Sequence, residues 1–321
     1  MQRLLAIDPH TYQPHALHHP GRCWTETNCY VDVWVEVLHA LGLDPLAAGA
    51  FTLSADFEGD QWSFFKIPPE DLRSLYGIEV SEMNAWRPIV DHLCEQLAMG
   101  RLLTVEVDSW FLPDTHGVSY RTGHTKSTIV PQAIDLGTRR LGYFHNAGYF
   151  ELDGDDFDGV LRIGDEDPWR LAPYVELIRL ERLRAEGPSL PEVVDLAASH
   201  LARRPPDNPV ERLAKRLESD RSALVERGLD YFHEYAFGSC RQCGASAEVA
   251  GSFVEWLGAR DGGGLDEAVG HFRSLAEGAK ALQFGLARMV SGRRYDIQSI
   301  LDQMAESWDV AMDVLVRRYG G

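Results

Sequence analysis

The chain has 321 residues and a formal net charge of −18, from 31 basic and 49 acidic side chains. This excess of acid argues against nucleic acids and anionic membranes as partners, because both bind to basic surfaces. The hydrophobic fraction of 45% is ordinary for a globular protein. No stretch is apolar enough to predict a membrane span or a secretory signal, so we expect a cytoplasmic protein.

The first predicted helix begins close to Cys29. Thr27 and Asn28 are residue types that cap helix N-termini, and Gly42 with Pro45 marks the end. Apolar residues between these signals recur at helical spacing: Val31, Trp34, Val37, Leu38 and Leu41. Cys29 therefore lies in the first turn of a buried helix, where the helix dipole favours a thiolate.

Three strands are predicted further along the chain. Residues 102–107 form an apolar, β-branched run, residues 127–134 a second, and residues 141–145 a third after a turn. Pro131 lies inside the second run and predicts a bulge or an edge position there, because proline cannot donate to a strand ladder.

The remainder of the chain is predicted to be helical. From about residue 168 prolines punctuate long segments with apolar stripes at helical spacing, which are typical of a helical bundle core. The sequence thus predicts an α+β fold with an all-α helical C-terminal domain, residues 166–321, after a mixed N-terminal domain, residues 1–165, for which the order of the candidate catalytic residue types, cysteine, histidine and asparagine, indicates a papain-like fold.

His124 is the predicted base for Cys29, since it opens the second strand and a strand end holds a side chain rigidly. His116 is a rival on the preceding loop. Asn146 follows the third strand and is predicted to orient the imidazole, with Asp135 at the hairpin turn as the alternative third member. The order cysteine, histidine, asparagine is that of papain-like folds.

The sequence identifies one donor of the predicted oxyanion hole and leaves the second open between two residues. The backbone N–H of Cys29 would supply one donor. Papain-like enzymes often use a glutamine a few residues before the cysteine, but that segment reads CWTE. Asn28 or the indole N–H of Trp24 is the predicted substitute.

Two clusters were weighed as metal sites, and neither predicts one. Cys240 and Cys243 form a CxxC without a second ligand pair at zinc-finger spacing, so two helix-face thiols are expected. Four histidines near the N-terminus have no supporting carboxylate spacing and predict a solvated arm: His10, His15, His18 and His19.

Four segments carry a family resemblance: TETNCYVDVWVEVLHALGLDP, DSWFLPDT, GHTKSTIV and LGYFHNAGYFEL. Together with parts of the helical half they resemble a bacterial family of unknown function. The N-terminal half is similar to the butirosin-biosynthesis acyltransferase group, which has a papain-like fold. Members of that group move an acyl or aminoacyl unit from the phosphopantetheine arm of a carrier protein to an amine.

The resemblance implies that Cys29 accepts an aminoacyl or peptidyl group from a carrier-protein thioester and that His124 serves as base for a small amine acceptor. No bound cofactor is expected. Two other classes remain open from the residues alone: a cysteine hydrolase or peptidase with water as acceptor, and a non-catalytic binding protein with an inert cysteine.

An acidic carrier protein would be repelled by a charge of −18 unless basic residues gather near the site. The predicted docking residues are close to His124 or to its hairpin: Arg121, Lys126, Arg139 and Arg140.

Overall fold

The computed structural model describes residues 1–164 and 171–320. Within them the chain forms two compact units that alternate along the sequence. The first contains residues 1–19, 28–45 and 68–187, and the second contains residues 20–27, 46–67 and 188–321. The predicted domain boundary at 165/166 falls outside the described residues.

The first unit is built on a seven-stranded antiparallel sheet, so the α+β prediction is confirmed. Its strands follow the order β2-β7-β3-β4-β5-β6, with β1 paired to β4. Their bounds are β1 Gln2–Arg3, β2 Glu79–Glu82, β3 Leu102–Asp108, β4 Lys126–Asp135, β5 Arg140–His145, β6 Gly148–Asp153 and β7 Val175–Arg179. Four helices accompany the sheet: α1 Cys29–Ala40, α2 Pro69–Tyr76, α3 Ile89–Ala98 and α4 Gly154–Leu161.

Helix α1 lies against β4 and β5 and is the most deeply buried helix of this unit. Val33, Trp34, Val37 and Leu38 are fully shielded from solvent. The chain turns away just after the helix at Gly42, where φ is +76°, a conformation that glycine adopts without strain. The predicted helix is therefore confirmed at both ends.

Strand β4 contains the predicted irregularity at Pro131. Pro131 pairs with Tyr143 and Ala133 pairs with Gly142, so Gln132 is an extra residue in the ladder between β4 and β5. The bulge removes the need for a backbone donor at the proline. Because the register shifts at the bulge, the alternation of faces before Pro131 is independent of the alternation after it.

Strand β7 was missed by the sequence analysis, which treats this part of the chain as helical. Val175–Arg179 lies between β2 and β3 and completes the sheet from about 70 residues beyond β3. Its short run of five residues, VELIR, has too little periodicity to separate strand from helix.

The second unit is mostly helical. Its helices are α5 Leu190–Ala202, α6 Pro209–Ala236, α7 Gln242–Arg260, α8 Asp266–Val290 and α9 Gln298–Tyr319, with a π-helical turn Phe237–Arg241 before α7. The predicted apolar stripes lie on α8 and α9 and are buried there. In the described part of the chain no helix has the length and apolar character that crossing a bilayer requires.

Candidate functional site

Cys29 is the first residue of α1. The side-chain oxygen of Asn28 accepts hydrogen bonds from the N–H groups of Tyr30 and Val31, both at 3.0 Å, and so caps the helix. The thiol is partly exposed, and it hydrogen-bonds the hydroxyl of Thr128 on β4, with Sγ and Oγ1 3.6 Å apart. The helix N-terminus thus presents a cysteine directly over the sheet.

The face of the sheet below Cys29 carries charged residues. Thr128 pairs with Glu106 across β4 and β3, and directly opposed residues point to the same face. Lys126 is two residues before Thr128 and shares that face. Its ammonium contacts the Glu106 carboxylate at 2.7 Å. Cys29, Glu106 and Lys126 therefore border the same patch of sheet surface.

The first turn of α1 also contacts β7, on the other side of β3. The Tyr30 hydroxyl donates to buried Glu176 at 2.7 Å, and Thr104 and Tyr174 donate to the same carboxylate at 3.2 and 3.0 Å. Burial and the neighbouring carboxylate raise the pKa of Tyr174 to about 12. Because Cys29 reaches β4 and Tyr30 reaches β7, the start of α1 spans β3.

A groove of about 340 Å³ opens on this face of the first unit. His124 lies in its wall, with Nδ1 2.6 Å from a carboxylate oxygen of Asp108 and its ring stacked on Trp110 at 4.6 Å. The groove is lined by Glu106, Val107, Asp108, His124, Thr125, Lys126, Arg162, Leu171, Ala172, Pro173 and Tyr174.

The structure places His124 beside Asp108, and the contact of the Cys29 sulfur is with Thr128. Thr128 is four positions after His124 along an extended chain, which corresponds to about 13 Å between their Cα atoms. The imidazole is 70% exposed. Its role as the base for Cys29 stays a prediction, and Asp108, which the sequence analysis did not select, is the carboxylate that holds it.

Asn146 follows the last paired residue of β5, His145, whose partner on β4 is Ile129, the residue after Thr128. It lies in the two-residue turn between β5 and β6, with φ +42°. Asparagine tolerates this left-handed conformation better than most residues. Its orienting role stays a prediction.

The two alternatives to these residues are found elsewhere. Asp135 is at the opposite end of the β4–β5 hairpin, where hydrogen bonds from the Thr138 and Gly137 backbone lower its pKa. His116 is exposed and its ring lies 6.5 Å from Tyr120.

Neither predicted oxyanion donor is aimed at the thiol through a described contact. The side-chain oxygen of Asn28 is committed to the α1 cap. Trp24 is grouped with the second unit, and its indole N–H donates to the Ala276 carbonyl at 3.0 Å. The predicted roles of both residues therefore gain no support from their hydrogen bonds.

All four predicted docking cations have acidic partners. Arg121 contacts Asp156, Arg139 contacts Asp158, Arg140 lies 3.3 Å from Glu151, and Lys126 binds Glu106. Paired cations project less positive potential than free ones. Docking of a carrier protein at these residues stays a prediction.

A second polar network lies on the opposite face of the sheet from Thr128. Ser127 Oγ is 2.6 Å from Nε2 of His145, whose Nδ1 is 2.5 Å from Asp114, and Tyr143 donates to the other oxygen of Asp114 at 2.5 Å. The connectivity is that of a serine triad, but His145 and Asp114 have side chains only 1% and 5% exposed. The network fixes the loop at Asp114 to the sheet.

A third cluster corrects the prediction of a solvated histidine arm. His18 is buried and bridges two carboxylates of α1, contacting Glu36 through Nδ1 and lying 3.3 Å from Asp32 through Nε2. Burial disfavours its charge, but the hydrogen bonds to Asp32 and Glu36 prevail and raise the pKa of His18 to about 9. The missed signal is the i, i+4 pair of acids in an otherwise apolar helix.

No group of three or more potential ligands in the described residues is arranged to hold a metal ion. Cys240 and Cys243 are buried in the π-helical turn and at the start of α7, and burial raises the pKa of the Cys240 thiol to about 12. These are the helix-borne thiols that the spacing predicts.

Two family models match the chain. The DUF1839 N-terminal domain matches residues 13–180, and the DUF1839 C-terminal domain matches residues 188–317. The N-terminal match includes the α1 cysteine and the charged groove. No curated protein matches the chain. The similarity to the butirosin acyltransferase group stays a prediction.

Proposed function

The chain belongs to the DUF1839 family, and we propose that it is an enzyme that transfers acyl groups through a thioester on Cys29. One observation carries the proposal: a partly exposed thiol is the first residue of a capped, buried helix, and it contacts Thr128, the strand partner of the groove residue Glu106. A helix N-terminus favours negative charge on such a sulfur and on the oxyanion that follows attack.

The donor is proposed to be an aminoacyl or peptidyl thioester on the phosphopantetheine arm of a carrier protein, in the cytoplasm. Cys29 attacks the donor carbonyl, the pantetheine thiol departs, and the acyl group remains on the Cys29 sulfur. An amine then attacks this second thioester and releases the Cys29 thiol. The order of Cys29, His124 and Asn146 supports a papain-like arrangement, in which His124 is the proposed base.

Intact-protein mass spectrometry tests the first half of this reaction. The full chain is incubated with carrier proteins loaded with a set of amino acids and, separately, with the matching pantetheine thioesters. We expect a mass increase of one acyl group on the wild-type protein and on Cys94→Ala, and none on Cys29→Ala. The small thioester separates the chemistry from recognition of the carrier protein.

The alternatives give different results. A hydrolase or peptidase would lose the acyl group to water at the same rate with or without an amine. A binding protein would show no mass increase from either donor, and that outcome would remove the proposed function.

A further inference from the structure

We propose that Glu106 binds the acceptor as a primary alkylammonium ion in the groove beside Cys29, at the position that the Lys126 ammonium now occupies. The inference rests on the proposed function and names its acceptor class. It starts from the pairing of Glu106 with Thr128, the residue that the Cys29 sulfur contacts.

Glu106 is the groove carboxylate closest to the thiol. Side chains of directly opposed residues have Cβ atoms about 5 Å apart, so Glu106 lies one residue pair from the contact of Cys29. Asp108 is two residues further along β3. Both of its oxygens are in use, one with His124 and the other with the Trp110 N–H at 3.0 Å.

One oxygen of Glu106 is available for a ligand. Its Oε1 accepts from Lys126, and its Oε2 has no hydrogen-bond partner within residues 1–164 and 171–320. The Glu106 side chain is 27% exposed, and it faces the groove volume. An ion entering the groove therefore meets a carboxylate that is partly desolvated and half unsatisfied.

Lys126 shows which ligand chemistry the carboxylate accepts. Its Nζ, a primary ammonium on an alkyl stem, sits 2.7 Å from Oε1 while the side chain is 63% exposed. Such an exposed ion pair contributes little to stability, so the lysine can give up its place to a ligand of the same kind. An aliphatic amine with an unbranched stem fits this description.

The reaction that follows is balanced in protons. The bound ammonium first gives one proton to Glu106, which here takes the proton that the family resemblance assigns to His124, and the amine nitrogen then attacks the carbonyl of the Cys29 thioester. The new C–N bond forms, the C–S bond breaks, and the Cys29 thiolate takes up the second nitrogen proton. The products are an amide, the free thiol and a proton that leaves Glu106 for solvent.

Protection of Cys29 from alkylation measures amine binding without any turnover. The rate of Cys29 carbamidomethylation by iodoacetamide is followed at increasing n-butylamine, near neutral pH and constant ionic strength, with n-butanol as the uncharged comparison. We expect saturable protection by the amine only. Glu106→Gln should weaken the apparent affinity at least about tenfold, as expected for a lost charge-assisted hydrogen bond.

Two further variants make the result specific. Glu151→Gln is the matched control, because Glu151 is also a strand glutamate, 28% exposed and paired with an arginine; it should bind the amine like wild type. Lys126→Met removes the internal competitor and should tighten amine binding. Equal amine affinity in wild type, Glu106→Gln and Lys126→Met would overturn the proposal.

Failure of this inference can be told apart from failure of the proposed function. If Cys29 forms the acyl-enzyme but butylamine gives no protection, the acceptor site is wrong and the nucleophile stands. If both hold, acyl transfer to butylamine from preformed acyl-enzyme should be slowed in Glu106→Gln while acylation itself is unchanged. Transfer at the wild-type rate in that variant would exclude Glu106 from the reaction.

Discussion

At the scale of single residues, Cys29 differs from the other four cysteines by its surroundings. Burial raises the pKa of Cys23, Cys94, Cys240 and Cys243 and so disfavours their reactive thiolates. Cys29 combines partial exposure with the first position of a helix. The environment rather than the residue type singles it out.

We expect iodoacetamide at neutral pH to label Cys29 first, at least about tenfold faster than Cys94, because burial raises the pKa of the Cys94 thiol and so lowers its reactive thiolate fraction. Peptide mass spectrometry over a time course measures both rates in one sample. Cys94 is the fitting comparison, since it is also partly exposed. Labelling of Cys94 ahead of Cys29 would contradict a reactive role for Cys29.

The site was only partly predictable from single residues. Local signals identified Cys29, because capping and periodicity are encoded within a few positions. Thr128 and Glu106 lie about a hundred and about eighty residues after Cys29 in the sequence, and the register of β3 and β4 brings them to the same site. That register is set by strand pairing and by the Pro131 bulge, which the sequence near Cys29 does not specify. One local signal was available. Glu106 is a charged residue within the apolar strand run 102–107, and a charged residue in such a run indicates a specific partner or a functional role.

At the scale of elements, the N-terminal segment is tied to α1 by two buried carboxylates, Asp32 and Glu36. Glu36 contacts His18, accepts from the Tyr12 hydroxyl at 2.5 Å and from the His15 N–H at 3.0 Å. Burial would raise the pKa of Glu36, but the hydrogen bonds from His18 and Tyr12 prevail and lower it. The segment therefore holds α1 through a charged pair that water does not screen.

The pair predicts a pH-dependent stability. The pKa of His18 rises from 6.5 to about 9 on folding, so its contribution is complete below pH 6.5 and is lost as the pH rises through about 9. That contribution is on the order of 3 kcal/mol. Urea unfolding should show His18→Gln strongly destabilised against wild type at pH 6 and much less at pH 9.5.

The exposed His116 provides the control for this measurement, and His116→Gln should match wild type at both pH values. A difference between His18→Gln and wild type that is the same at pH 6 and pH 9.5 would mean that His18 packs as a neutral ring. The role of the ion pair would then be excluded.

The elements themselves were largely predictable. Strands β3, β4 and β5, helix α1 and the bulge at Pro131 follow from periodicity and from the missing proline donor. Strand β7 was missed because its pairing partners, β2 and β3, lie about 70 to 100 residues away and no local pattern specifies them. The buried His18 was missed for another reason, since its partners Asp32 and Glu36 are a local acid pair on α1 that the sequence analysis did not use.

At the scale of the whole molecule, the two compact units interleave. Residues 20–27 and 46–67 belong to the second unit although they precede most of the first. The backbone N–H of Trp24 donates to the Glu248 carboxylate at 2.7 Å, and the backbone N–H of Trp62 donates to the Gly238 carbonyl at 2.8 Å. The match of the second family domain, residues 188–317, thus covers a part of its compact unit.

A fragment of residues 188–321 should consequently fold poorly. It keeps α5 to α9 but lacks residues 20–27 and 46–67 of the same compact unit, and with them the buried side chains of Trp24 and Trp62. We expect weak cooperativity in thermal unfolding followed by circular dichroism, together with binding of a hydrophobic dye. Addition of a peptide spanning residues 20–67 should reduce the dye binding. Cooperative unfolding of the fragment alone would contradict this expectation.

The interleaving also constrains how such a chain can change during evolution. A recombination event between the two family matches, at residues 181–187, would separate Trp24 from Glu248 and from the carbonyl of Ala276. The helical part acquired from another gene would lack partners selected for those side chains. We therefore expect substitutions of Trp24 to be accompanied by substitutions around Ala276, more than two hundred positions away, where the indole N–H of Trp24 donates to the backbone carbonyl.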